Sequence, residues 1–225
     1  MKKRIVVLIV IVIILLFILN YYNLLPKKKY TAKDFMINTV VSRVDFNNNG
    51  VDDYTDFLIG AKKDAKNKPK YRSKYYSGGY PGDKEGVCTD VIWRAFKEAG
   101  YSLKDMIDND IEKNRLDYNI KIIDKNIDFR RVINLRVFFD KYATTLTNDI
   151  YDIDEWMPGD IVIFGNNKHI GIVSDYRNKK GIVYIIHNGG QPVRDEDYLP
   201  RAVVTKHYRF DTSIVNKDIL VRWNS

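Results

Sequence analysis

Fifteen consecutive apolar residues, Ile5 to Leu19, follow Met1-Lys2-Lys3-Arg4 without a single charge. Carried on to Leu25 the stretch has 21 residues, about 31 Å as a helix and enough to cross a bilayer core. No small-x-small cleavage site follows, and Tyr21 and Tyr22 suit the aromatic belt of a membrane interface. The segment therefore reads as an uncleaved N-terminal anchor, residues 1–30, rather than a secretory signal. Lysines and arginine flank it on both sides, so charge does not fix its orientation. With almost no chain ahead of the span, the bulk of the protein is expected outside the cell.

The anchor also explains the net charge of +8. Six of its residues are Lys or Arg and none is acidic, leaving 31 bases against 29 acids in the remainder. A basic isoelectric point of this origin speaks against a nucleic-acid binder. One local exception is the basic run of residues 62–74, which reads as a solvated stretch able to lean on anionic headgroups or wall polymers. The remaining chain is long enough for one substantial core, and its one cysteine allows no internal disulfide. A monomer is expected.

Residues 31–44 read as a helix, with Thr31 and Asp34 at capping-box spacing and Phe35, Val40, Val41 and Val44 on one face. A second helix begins at Tyr54. Residues 71–86, rich in Gly, Tyr and Pro, read as ordered loop. A helix then starts at Val87 and ends at Gly100, and another covers residues 126–143. Beyond Asp149 the pattern changes to short β-branched strands at residues 159–164, 169–175 and 182–188, with a further one in 201–210. Helices first and a meandering antiparallel sheet afterwards predict an α+β domain. The organisation expected is an anchor over 1–30, a helix-loop-helix annex with a basic linker over 31–70, and a main domain over 71–225.

Chemistry concentrates at few positions. Cys88 opens a helix, where free N–H groups and the macrodipole favour a thiolate, although a lone cysteine is more often a small buried hydrophobe. His169 begins one strand and His187 ends the next, so the two rings can stack as base and orienter. Gly171 leaves room beside His169. His207 is left over and reads as structural.

Residues 74–96, 156–175 and 183–188, carrying Gly78-Gly79, Cys88, His169 and His187, resemble the NlpC/P60 cell-wall hydrolases and, more closely, the DUF1287 family. The resemblance spans roughly residues 71–210 and implies a papain-like fold, with the helix-start cysteine packed on the antiparallel sheet. It implies Cys88 as nucleophile, His169 as base and His187 as the third polar member. A tyrosine stands shortly before the Gly-Gly pair in such enzymes; Tyr75 fits that offset, with Tyr76 the neighbouring candidate for substrate binding. Many members carry Asp-Cys-Ser where Val87-Cys88-Thr89 stands here, so recognition of a free L-alanine end is not implied, and Asp90 is left to contact substrate in another way. Arg130 and Arg131, beside Asp128, suit the carboxylates of a peptidoglycan stem peptide.

Residues 45–56 match an EF-hand loop position by position: Asp45, Asn47, Asn49, the Val51 carbonyl, Asp53 and Asp56, with Gly50 at the sharp turn. A structural calcium ion is expected there, bound weakly because Asp56 replaces the usual glutamate; no cofactor is expected for catalysis. The sequence thus predicts a membrane-anchored extracellular cysteine hydrolase cleaving peptide or amide bonds, with peptidoglycan as substrate. An acyltransferase or transpeptidase on the same fold, and a non-catalytic wall-binding module, are the competing readings.

Overall fold

The computed structural model describes residues 2–224. Helix α1 (Lys2–Tyr21) has no buried residue, and its length and mean hydropathy of 2.9 suffice to cross a membrane, a property that signal sequences share. The other helices are α2 (Asp53–Asn67), α3 (Cys88–Glu98), α4 (Leu103–Lys113) and α5 (Val132–Tyr142). Two short parallel strands, β1 (Lys70–Tyr71) and β2 (Glu85–Gly86), pair ahead of α3.

The remaining strands are β3 (Thr144–Thr145), β4 (Ile161–Phe164), β5 (His169–Arg177), β6 (Val183–Ile186), β7 (Asp195–Glu196) and β8 (Val204–Arg209). They form one antiparallel sheet in the order β3-β8-β4-β5-β6-β7. The architecture is α+β. Alternation along the strands gives the sheet two apolar faces. Ile161, Ile163, Ile170, Ile172 and Ile186 pack beneath α2, α3 and α5, while Val162, Phe164, Val173, Val183 and Ile185 pack under Trp156 and Leu199.

Helix α2 is bound into the same core as the cysteine helix. Tyr54, Phe57 and Ala61 join Val91, Ile92, Ala95 and Phe96 in one cluster, and Phe57 stacks on Phe96 at 4.6 Å. Gly60 permits this approach, because a Cβ there would stand 2.7 Å from the Ala95 Cα. Residues 53–67 are thus part of the main core rather than an annex beside it.

The helix expected over 31–44 is only a turn of 3-10 helix, Ala32–Phe35. Asp34 does accept the Thr31 backbone N–H at 2.7 Å. Met36 then turns left-handed at φ 58°, and Ile37 N–H reaches Ala32 O while Met36 N–H reaches Lys33 O, the bond pair that terminates a helix. Val40 and Val41 are exposed, so no apolar face holds a longer helix together. The helix expected over 126–143 breaks at Arg131, whose extended backbone separates a 3-10 turn, Asp128–Arg130, from α5. Helix α4 has no counterpart in the sequence expectation.

Candidate active site

Helix α3 begins at Cys88, and its first turn is held by one carboxylate. Asp90 accepts the Val87 backbone N–H at 2.7 Å and the Trp93 indole N–H at 2.8 Å. Arg130 closes on the same carboxylate in two bonds of 2.8 Å each and donates a third to Lys74 O. Both side chains are buried, and Tyr76 covers the guanidinium with its ring. Asp90 and Arg130 are therefore committed to each other and to the nucleophile helix, not turned toward substrate. Arg131 is exposed and lies 3.8 Å from the Asp128 carboxylate.

The expectation of a thiolate at Cys88 is also corrected. Cys88 is 7% exposed, and burial pushes its thiol up to about 11, while the backbone N–H groups of Ile170 and Thr89 work in the opposite direction. Desolvation outweighs the helix end here. The Ile170 contact places the sulfur against β5, one residue after His169. Among the described residues Cys88 Sγ makes no hydrogen bond to either histidine.

His169 and His187 meet as expected from their strand ends. His169 Nε2 lies 2.7 Å from His187 Nδ1, and the rings cross at 85°. Gly171 makes this possible: a Cβ there would come within 2.6 Å of Ile185 Cγ2 and 3.1 Å of the His187 Cβ. The glycine lets β6 close on β5, bringing the rings into contact rather than leaving space above one of them.

Glu196 extends the line. Its Oε1 is 3.0 Å from His187 Nε2, and its other oxygen accepts from Asn23 and from Arg201. Burial acts to raise the Glu196 carboxyl, but the His187 bond and the Arg201 charge prevail and hold it below the usual carboxylate range. Burial lowers both histidines, His169 to about 3 with His187 beside it, and His187 against the pull of Glu196. A carboxylate at one end and two neutral rings fix the tautomers. His187 donates from Nε2 to Glu196 and accepts at Nδ1 from His169 Nε2–H. His169 Nδ1 is left as the free lone pair of the chain.

Sequence reasoning missed Glu196. It stands diagonally from His187 across the β6–β7 ladder, where Ile185 pairs with Glu196 and His187 N–H bonds Arg194 O. An acid shortly after a strand-end histidine across a hairpin is the signal that could have found it. Asn188, fully buried, was missed too: it donates to Pro69 O and Gly86 O, tying the His187 strand end to the segment that delivers Cys88.

The tyrosines differ from expectation. Tyr75 hydroxyl engages Asp124 and Asn126, and Tyr76 hydroxyl bonds Glu85, so neither approaches the histidines. Tyr71 and Tyr198 are the tyrosines near the thiol; burial and then the proximity of Cys88 raise Tyr71. Tyr198 lies 4.3 Å from the His187 ring. His207 is buried, bonded to Asp160 and Thr147 O and stacked on Trp156 at 3.9 Å, remote from this chemistry. A cavity of about 300 Å³ opens over the histidines between Tyr21, Tyr22, Gln191, Tyr198 and Arg201.

In the loop of residues 45–56, Asp45 accepts from Asn49 N–H and Gly50 N–H, Asn47 Oδ1 from Asn49 N–H, and Asn49 Oδ1 from Val51 N–H. Gly50 has φ 87°. Asp56 is buried and accepts from the amides of Asn47 and Asn49. Asp53 departs from the expected set: its carboxylate accepts from Phe46 N–H, Tyr101 hydroxyl and Thr212 hydroxyl. Among the described residues no group of three or more His, Cys, Asp or Glu side chains is arranged to hold a metal.

Residues 58–210 match the family model described as "Domain of unknown function (DUF1287)". The chain is 34% identical over 149 residues to "Uncharacterized protein YijF" of Escherichia coli (strain K12), covering 63% of this chain and 72% of that protein. No solved structure matches the chain. The matched span holds Cys88, both site histidines and Glu196, and the chain belongs to the DUF1287 family.

Proposed function

We propose that the protein is a membrane-anchored, papain-like cysteine hydrolase of NlpC/P60 type, acting outside the cell on peptide or amide bonds of peptidoglycan. The observation that carries this reading is the chain Glu196–His187–His169, which leaves His169 Nδ1 as an unprotonated base on the strand that touches the Cys88 thiol. A buried and a half-buried imidazole in line on a carboxylate are costly unless their polar groups are used, and the unused one is the lone pair a nucleophile needs.

In this reading thiol and imidazole are both neutral at rest. Proton transfer from Sγ to His169 Nδ1 creates a thiolate–imidazolium pair, which Glu196 stabilises through His187. The thiolate attacks the carbonyl carbon, the backbone N–H of Cys88 serves the developing oxyanion, and His169 returns the proton to the leaving amine. Water then releases the acyl group. Catalytic hydrogen bonds are commonly long before substrate arrives, which fits a thiol without a side-chain partner. Arg131, exposed and 3.8 Å from Asp128, does not line the cavity over the histidines, so no arginine of the 130–131 pair is assigned to a stem-peptide carboxylate.

The test is digestion of purified muropeptides by the full chain in detergent, with the products weighed. Wild type should release fragments differing by one hydrolysed amide, and Cys88→Ser none while keeping its thermal midpoint. Cleavage by Cys88→Ser at the wild-type rate overturns the assignment.

We further propose calcium as a structural ion of the 45–56 loop. With Gly50 at the turn, the side-chain oxygens of Asp45, Asn47, Asn49 and Asp56, which here accept N–H groups of the loop, and the Val51 carbonyl make up a hard-oxygen set that suits this cation.

A further inference from the structure

Two lysine pairs far apart in sequence converge at the end of α1. Lys27 and Lys28 follow the apolar run, and Lys179 and Lys180 form the turn between β5 and β6. All four line one pocket of about 530 Å³, which Asn20 of the last turn of α1 also lines. The basic run of residues 62–74 is a different case, because Lys62, Lys63, Arg72 and Lys74 pair with Asp175, Asp195, Glu98 and Glu85. Among the described residues none of the four pocket lysines has an ion pair; Lys27 donates to Asn23, and Lys28 lies 4.7 Å over the Tyr30 ring. Asp197, the one acid on the wall, is held by Asn178. Cationic charge in excess inside a concave, partly aromatic pocket calls for an anion.

The pocket's position selects which one. Asn20 is the residue after the apolar run, and one residue is about 1.5 Å of helix, so the mouth lies at headgroup level when α1 spans the membrane. The apolar side chains of α1 are exposed from Ile5 to Ile18, open to acyl chains. We propose that the Lys27, Lys28, Lys179 and Lys180 pocket binds the phosphate of an anionic phospholipid. The inference rests on α1 being a retained span. It also bears on the catalytic reading: Tyr21 and Tyr22 wall the cavity over the histidines, with Asn23 and Arg201 tying the anchor to Glu196. A lipid seated here holds that cavity at the membrane surface.

The test is native mass spectrometry of the full chain released from micelles containing equal phosphatidylglycerol and phosphatidylcholine. Wild type should retain phosphatidylglycerol in preference, and Lys179→Gln with Lys180→Gln should weaken that retention about 10-fold or more. Both lysines are exposed turn residues, and Lys179→Arg with Lys180→Arg should retain the lipid. Equal retention of the two lipids, or undiminished retention by the glutamine variant, overturns the proposal. Displacement by millimolar glycerol phosphate also overturns it, by making this a site for soluble phosphate. Muropeptide cleavage is read separately, so loss of lipid selectivity with Cys88-dependent turnover intact would fault this inference alone.

Discussion

Asp90 and Glu196 are both buried carboxylates within reach of the same site, and they do opposite things. Asp90 is two residues from Cys88, yet its partners are Val87 N–H, Trp93 and the Arg130 fork. Every bond it makes is structural. Glu196 is remote in sequence, yet it terminates the line of imidazoles. The difference lies in how the oxygens are shared: Arg130 takes both oxygens of Asp90 and locks it, whereas Arg201 takes one oxygen of Glu196 and leaves the other to His187, which passes the carboxylate's influence on to the next ring. Nearness in sequence to a nucleophile therefore says little about whether an acid takes part in chemistry.

The largest effect should come from breaking the locked pair. Arg130→Met leaves Asp90 charged and unpaired in the core, a loss of about 3–5 kcal/mol, read as a drop in thermal or denaturant midpoint. Asp90→Asn combined with Arg130→Met should recover part of it. An Arg130→Met protein of unchanged stability but poorer substrate affinity would return Arg130 to the binding role that its sequence position suggests.

The imidazole side should respond to pH instead. Burial depresses His169 to about 3 and lowers His187 as well, so the unfolded chain binds protons more readily than the folded one as pH drops below 6.5. The stabilisation is complete above the unfolded value and lost progressively between it and the folded value. For His169 alone the loss between pH 7.5 and 4.5 is about 2–3 kcal/mol. Glu196, held below its ordinary value, acts in the same direction, its share being lost as pH falls through its folded pKa. Melting curves should show a midpoint falling on acidification, less steeply in His169→Gln. Parallel curves for the two proteins would mean that His169 is not held neutral in the fold.

Glu196→Gln comes next, and separates relay from support. An amide keeps the shape but removes the charge that stabilises a protonated ring, so turnover on muropeptides should fall roughly 100-fold while KM moves little. A merely supporting Glu196 would lower stability and leave turnover per folded molecule intact.

What could be read from the sequence was whatever the chain encodes locally. Cys88 at a helix start and histidines at two strand ends follow from periodicity and turn residues, and the structure brings the two rings within 2.7 Å. Glu196 depends on how the hairpin after His187 pairs, which local pattern does not specify. Residues 31–44 misled because capping and periodicity describe a helix that nothing packs against, and Met36 ends it first. Helix α4 was missed although its signal was there: Leu103, Met106, Ile107 and Ile111 have helical spacing, and the structure buries all four. Tyr71 was obscured because nearness to the Gly-Gly pair favours Tyr75, while the path of β1 beside β2 delivers Tyr71.

A third buried carboxylate gives the smallest effect and the finest contrast. Asp56 has neither an arginine nor a histidine among the described residues. It is held by two neutral amides, and burial, with Glu98 and Asp53 nearby, raises its pKa. Asp45 lies across the same turn, bonded only to backbone N–H groups of the loop. A divalent cation would supply the positive charge that Asp90 draws from Arg130, and weak binding is expected because aspartate at the last position reaches the ion less easily in bidentate fashion. At a calcium concentration about 10-fold above Kd, mass action stabilises the folded chain by about 1.4 kcal/mol. The full chain in detergent should therefore melt a few degrees higher in millimolar calcium than in chelator, and Asp45→Ala should lose that difference. Equal midpoints in the two solutions for the wild type would mean that the Asn47 and Asn49 amides alone satisfy Asp56, and that the loop is an ordinary turn locking α2 onto the end of α3.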